Sequence, residues 1–266
     1  MKGSDIIKTI VNSPSILGQI YSDLASPSVK AVGDALGTVF EYGTNYLLPL
    51  KLQNEKAKAT FAHNLEAYKK KLNSIPEKER CEVHPQVGTP IVDKLTYTTS
   101  EEIADMFTSL LASDSDNRLK QYVHPSFVGI IENLSPDEAR IIKYFKGKET
   151  IEFCSFRGIL KSNGGFLTLL DHATNILTDV ELSYPNNTGA YISNLVRLGF
   201  LVEPQGVHLN DKTGYNRIRE TYGLEKLRKE LVPNEYKSLE CKEGYYLVTP
   251  FGKLFIKAVF PDGKDK

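Results

Sequence analysis

Residues 99–145 read TSEEIADMFTSLLASDSDNRLKQYVHPSFVGIIENLSPDEARIIKYF, and these 47 residues hold three helix starts in succession. Thr99 and Glu102 stand at capping-box spacing and predict a helix to about Ser113. Asp114-Ser115-Asp116-Asn117 then reads as a loop. Pro125 suits the first turn of a second helix, running to about Asn133. Ser135-Pro136-Asp137-Glu138 supplies an N-cap, a proline at N1 and a glutamate at N3. Phe107, Leu110, Leu111, Phe127 and Ile131 mark the core faces. The acidic pairs Glu101-Glu102 and Asp137-Glu138 complement the positive helix pole, which accounts for them without catalysis.

Helical periodicity extends upstream. In residues 28–73, Val32, Leu36, Val39, Phe40, Gly43 and Leu47 share one face, opposite Asp34, Thr38, Glu41 and Asn45. Pro49 interrupts the run. Phe61, Leu65, Tyr68 and Leu72 then repeat at i, i+4, i+7 and i+11, up to the stop at Pro76. Residues 76–98, with Pro76, Pro85, Gly88 and Pro90, read as a connector. Residues 1–27 form short N-terminal helices or an arm, broken at Ser13-Pro14 and ending at Ser26-Pro27. Together these readings make residues 28–135 a helical domain.

Downstream of Gly147 the pattern changes. Ile151–Phe156 alternates at period two and predicts a strand. Leu167–Ile176 is ambiguous between strand and helix, after a turn at Asn163-Gly164-Gly165. Thr188–Leu198 predicts a short helix closed by Gly199. Phe200–Pro204 and Tyr245–Thr249 read as strands, Tyr215–Leu231 as a helix, and Pro250–Val259 as a terminal helix. A helix feeding a strand through Leu198-Gly199-Phe200-Leu201 resembles the centre of a winged helix. Residues 136–266 are therefore expected to be winged-helix-like with a small β-sheet, carrying an insertion at about 205–243. The fold class is mainly α within α+β.

Lys+Arg and Asp+Glu both number 33, so no global basic field recruits nucleic acid. Cys81, Cys154 and Cys241 are odd in number and far apart, which suits a reducing cytoplasm better than a disulfide framework. The first 20 residues lack a secretory apolar core, and no window of about 18 residues is free of strongly polar groups. A cytoplasmic protein is expected. No phosphate loop, dinucleotide fingerprint or nucleophile elbow is present, so neither cofactor nor catalytic residue is assigned. Cys81-Glu82-Val83-His84 has metal-like spacing but lacks a second paired set, so no metal is assigned either.

The Thr188–Leu198 helix offers Asn187, Tyr191, Asn194 and Arg197 as candidate contacts to nucleic acid or a protein partner. It brings one basic residue, fewer than phosphate contacts normally need. Lys212, Arg217, Arg219, Arg228 and Lys229 lie in the insertion, interleaved with Glu220, Glu225 and Glu230. His124 is the histidine with most claim to a role: a general base beside Asp114 or Asp116, against the plainer reading of a cap on the helix begun by Pro125. The 28–48 segment, with Phe40, Tyr42 and Tyr46, is amphipathic enough to lie on a membrane, though its polar face carries Asp34 and Glu41 rather than cations.

Three phrases carry a resemblance: Glu101–Ser113, Val123-His124-Pro125-Ser126-Phe127-Val128-Gly129-Ile130-Ile131 and Leu134-Ser135-Pro136-Asp137-Glu138-Ala139. With the 28–73 helices and the Leu-Gly-Phe-Leu and Thr-Pro-Phe-Gly phrases, they make most of residues 30–260 resemble the Abi-alpha (abortive infection alpha) family of bacterial proteins. That resemblance implies a role in defence against phage. It implies no active site, so no functional residue is carried over. The expectation is a non-enzymatic defence protein working through protein contacts or self-association. A winged-helix DNA-binding regulator and a membrane-acting effector are the alternatives.

Overall fold

The computed structural model of the chain describes residues 30–43, 48, 51–231 and 236–261. The expected arm at 1–27, the break at Pro49, and the side chains of Phe40, Tyr42, Tyr46 and Leu47 lie outside what it describes. The architecture is mixed α+β and mainly helical, with a four-stranded antiparallel sheet in the C-terminal part. Two units are distinguished: residues 1–139 with 254–266, and residues 140–253.

The first unit is built from α1 (Lys30–Gly43), α2 (Glu55–Ser74), α3 (Pro85–Lys94), α4 (Glu101–Asp114), α5 (Ser126–Glu132) and the start of α6 (Pro136–Tyr144). The last residues of α11 (Pro250–Val259) complete it. Apolar periodicity places the helices. Val32, Leu36 and Val39 of α1 are buried, as are Phe61, Leu65, Tyr68 and Leu72 of α2. Phe127 meets Phe255 edge-on at 5.0 Å between ring centres. The Ser113 hydroxyl donates to the Ala258 carbonyl at 2.7 Å.

Two local expectations change. The connector at 76–98 contains helix α3. Pro85 sits at its first position, where a missing N–H costs nothing. The His84 ring accepts from Gln86 N, and Val87, Ile91 and Val92 are buried. Pro90 lies inside this helix. The cap of α4 is Ser100 rather than Thr99: its Oγ accepts from Ile103 N at 3.4 Å and donates to Glu102 at 2.9 Å. The α6 cap is as read. Ser135 N donates to Glu138 at 2.7 Å, and Glu138 N donates to Ser135 Oγ at 3.3 Å.

The second unit is organised by a sheet of order β2-β1-β4-β3, antiparallel throughout. The strands are β1 (Thr150–Leu160), β2 (Phe166–Thr174), β3 (Leu201–Val202) and β4 (Tyr236–Val248). The ambiguous Leu167–Ile176 segment is thus mostly strand. It is followed by the short helix α7 (Ile176–Asp179) and then α8 (Thr188–Arg197). The strand read at Tyr245–Thr249 begins nine residues earlier, inside the supposed insertion, because β4 pairs along all of β1. The helix read over Tyr215–Leu231 is two, α9 (Thr213–Thr221) and α10 (Leu224–Leu231), broken at Tyr222-Gly223. Their residues Tyr215, Ile218 and Leu224 cover Cys154, Phe156, Tyr236 and Leu239 on one sheet face.

Candidate interaction surface

Helix α8 is shaped at both ends by local chemistry. The Thr188 hydroxyl donates to the Pro185 carbonyl at 2.6 Å, fixing the preceding turn. At the other end Gly199 adopts φ +80, a conformation glycine takes without strain. Gly199 N donates to Val196 O and Phe200 N to Leu195 O, the paired bonds of a Schellman stop. Phe200 is thereby driven into the interior.

The two phrases Leu-Gly-Phe-Leu and Thr-Pro-Phe-Gly then lock to each other. The Thr249 hydroxyl donates to the Gly199 carbonyl and accepts from Gly252 N at 2.9 Å, capping α11. Thr249 N donates to the Phe200 carbonyl at 2.9 Å. A Cβ at position 252 would stand 2.7 Å from that carbonyl oxygen, so the close approach requires glycine. Residue types separated by 50 positions therefore form one stitch that holds α8 to β3 and β4.

The stitch orients an outward surface of Asn187, Ala190, Ser193, Val196 and Arg197, all exposed. Tyr184 beside it is 68% exposed and Val196 37%. Of the four expected contacts, Asn187 and Arg197 lie on this surface. Tyr191 does not: it is buried, because it falls on the same helical face as Ile192 and Leu195. Asn194 is half-buried and accepts from the Arg197 guanidinium at 2.7 Å. The cation on this helix is thus turned onto its own neighbour.

Four of the five insertion cations are committed to carboxylates, while Lys229 is exposed. Arg217 pairs with Asp179, Lys212 and Arg219 with Glu243, and Arg228 with Glu225. Burial opposes ionisation of Glu243, but Lys212 and Arg219 hold its carboxyl below the usual range. In the same way hydrogen bonds from Tyr144 and Arg217 overcome burial at Asp179. That network borders a cleft of about 540 Å³ walled by Arg140, Lys143 and Tyr144 on α6 and by residues 179–183.

His124 belongs to the first unit. Its Nδ1 accepts from Ser126 N at 3.1 Å and stands 2.6 Å from Ser126 Oγ, the geometry of a cap on α5. Neither acidic residue expected beside it is committed there. Asp114 accepts from His84 N at 2.7 Å, and Asp116 grips Arg118. Burial raises the Asp114 carboxyl above the usual range.

One residue escapes sequence reasoning. His172 carries a positive φ of 49. Its ring stacks 4.3 Å from that of Phe153 and lies between Asp171 and Glu203, at 3.1 and 3.2 Å. Asp171 is its chain neighbour, but Phe153 comes from β1 and Glu203 from the residue after β3, so no local motif announces the cluster. The apolar face of α1, which a membrane-lying helix would need exposed, is buried at Val32, Ala35, Leu36 and Val39. Among the described residues no helix is long and apolar enough to cross a membrane.

Residues 54–259 match the family model described as abortive infection alpha. No curated protein matches the chain. A solved structure of an uncharacterized protein from the hydrocarbon-degrading marine bacterium Alcanivorax borkumensis SK2 is similar at 14% identity and a TM-score of 0.33, covering 54% of this chain and 96% of the other.

Proposed function

This chain belongs to the abortive infection alpha family, and from that premise we propose that it is a phage-defence protein acting in the bacterial cytoplasm through protein contacts. The observation that carries the contact reading is the outward surface of α8, neutral and partly apolar, with its arginine tied to Asn194. Such a surface suits a protein partner or a second copy of the chain better than a phosphate backbone, which calls for several unpaired cations. The ion pairs of Lys212, Arg217, Arg219 and Arg228 count against the DNA-binding alternative on the same ground. The buried α1 face counts against the membrane alternative.

The order β1-β4-β3, with α8 leading through Gly199 into β3, supports reading residues 136–266 as a winged-helix-like module after a helical domain at 28–135. In this reading β2 and helices α9 and α10 are elaborations of the small sheet.

The test is a phage panel plated on bacteria expressing the chain or its Val196→Asp, Tyr184→Ala variant. Both positions are exposed, so the variant should melt with the wild type. Reduced plaquing by the wild type, and its loss in the variant, is expected. Equal protection by the two would remove the α8 surface from the mechanism. No protection by the wild type against any phage would remove the defence role.

A further inference from the structure

Two of the three cysteines, far apart in sequence, come together on one face of the sheet. Cys154 of β1 stands opposite Glu243 of β4, and Cys241 of β4 stands opposite Phe156 of β1. The thiols are therefore diagonal neighbours on adjacent strands, both packed in the cluster under α9 and α10. Cys154 is fully buried, whereas Cys241 is only half-buried. The Arg219 guanidinium stands beside Cys241, held by its ion pair with Glu243.

We infer that Cys241 is a site of oxidative modification by peroxide-class oxidants, with Cys154 behind it as the resolving thiol that closes a disulfide between β1 and β4. The thiolate is the reactive form of cysteine, and partial exposure beside a cation is the setting that favours it. The neighbouring Cys154 thiol lowers the Cys241 thiol, burial opposes this, and the Arg219 guanidinium lowers it further. Cys154 is pushed upward by Cys241 and by burial, its sulfur donating to the Tyr215 carbonyl at 4.0 Å, so it remains a thiol while its neighbour ionises. Cys81 is also half-buried, with Lys120 Nζ 3.9 Å from its sulfur. Burial raises it, Asp114 and Asp116 stand against that cation, and its sulfur donates to the Asp114 carbonyl at 3.4 Å.

The chemistry balances with one peroxide. The Cys241 thiolate attacks a peroxide oxygen, the O–O bond breaks, and the departing hydroxide takes a proton to become water. Cys241 is now a sulfenic acid. The Cys154 sulfur attacks the Cys241 sulfur and loses its proton, while the sulfenic hydroxyl leaves as a second water. Two thiols are oxidised to one disulfide and one peroxide is reduced to two waters.

Diagonal residues on facing strands have Cα atoms roughly 7–8 Å apart. That exceeds the usual Cα separation of a disulfide, so closure requires β1 and β4 to shift toward each other and leaves a strained bond that reduces readily. The register of β1 on β2 is irregular between Cys154 and Phe156, which gives β1 slack at this point. A strained, reversible bridge is the kind expected in a reducing compartment.

The experiment is hydrogen peroxide titration of the purified full chain, followed by intact mass and peptide mapping. The wild type should lose two hydrogens, joining the Cys154 and Cys241 peptides, and dithiothreitol should restore them, with Cys81 unmodified at the same dose. Cys154→Ala and Cys154→Ser should stop at sulfenic acid, labelled on Cys241 by dimedone. Two replacements guard against a folding failure of either. Cys241→Ser should leave Cys154 unreacted. Dimedone labelling of the wild type equal to that of the Cys154 variants would overturn the pairing. Oxidation of Cys81 as readily as Cys241 would overturn the site. Because purified protein suffices, the result does not depend on phage protection.

Discussion

Replacing Thr249 by Val tests whether the stitch between α8 and α11 is what holds the small sheet to its helices. Valine keeps the shape and removes the hydroxyl. Two bonds go at once: the donation to the Gly199 carbonyl and the acceptance from Gly252 N. Losing an N-cap acceptor costs about 1 kcal/mol. Leaving a half-buried carbonyl without its donor costs about 1 kcal/mol more, at the lower end for such groups because water retains some access. The sum is about 2 kcal/mol. For a chain of this size that lowers Tm by roughly 4–8 °C. Thr249→Ser keeps both bonds and should stay within about 0.5 kcal/mol of the wild type. The assay is urea unfolding followed by far-ultraviolet circular dichroism and tyrosine fluorescence, with a thermal melt beside it. Gly252→Ala attacks the same stitch from the other side, its Cβ 2.7 Å from the Phe200 carbonyl, and should cost about 1–3 kcal/mol. Since both changes disrupt one structure, the double variant should lose less than the sum. A Thr249→Val protein as stable as the wild type, or fully additive losses, would refute the reasoning.

Two further predictions concern the first unit. The raised Asp114 carboxyl binds its proton more tightly when folded, so its contribution to stability is present below the unfolded value of 3.8 and is lost as pH rises through the folded one. Asp114→Asn, which still accepts from His84 N, should therefore gain on the wild type as pH rises from below 3.8 to neutrality in a urea-unfolding series, and a flat or reversed difference would show that burial does not govern this carboxyl. Gly88→Ala should destabilise by about 1–3 kcal/mol in the same assay, although alanine normally favours a helix: its Cβ would lie 2.3 Å from Val39 Cγ2 and 2.7 Å from Val83 Cγ1. A gain in stability would mean that α1 and α3 do not meet closely at that glycine.

What was legible in the sequence was local. Phe61, Leu65, Tyr68 and Leu72 recur at helical spacing and all are buried. Ser135 and Glu138 sit three apart and cap each other. Gly199 follows an apolar helix and takes the positive φ that ends it. Each of these depends on bonds or faces within a few residues, so spacing alone predicts them. Helix α3 was missed because prolines and a glycine read as a connector, although Pro85 stands where proline suits a helix.

Everything that required a long-range partner waited for the tertiary structure. Tyr191 looked like a surface residue of α8 until the packing of Ile192 and Leu195 turned its face inward. Lys212, Arg217 and Arg219 looked available until Asp179 and Glu243 claimed them. β4 looked five residues long until β1 paired along it from Tyr236 to Leu247. The sequence by itself determined most of the helices, the caps at Ser135 and Gly199, and the family, because those signals are carried by neighbours along the chain. Which face α8 presents was decided only by packing, and that Cys154 meets Cys241 only by strand register, choices between distant segments that no local spacing encodes.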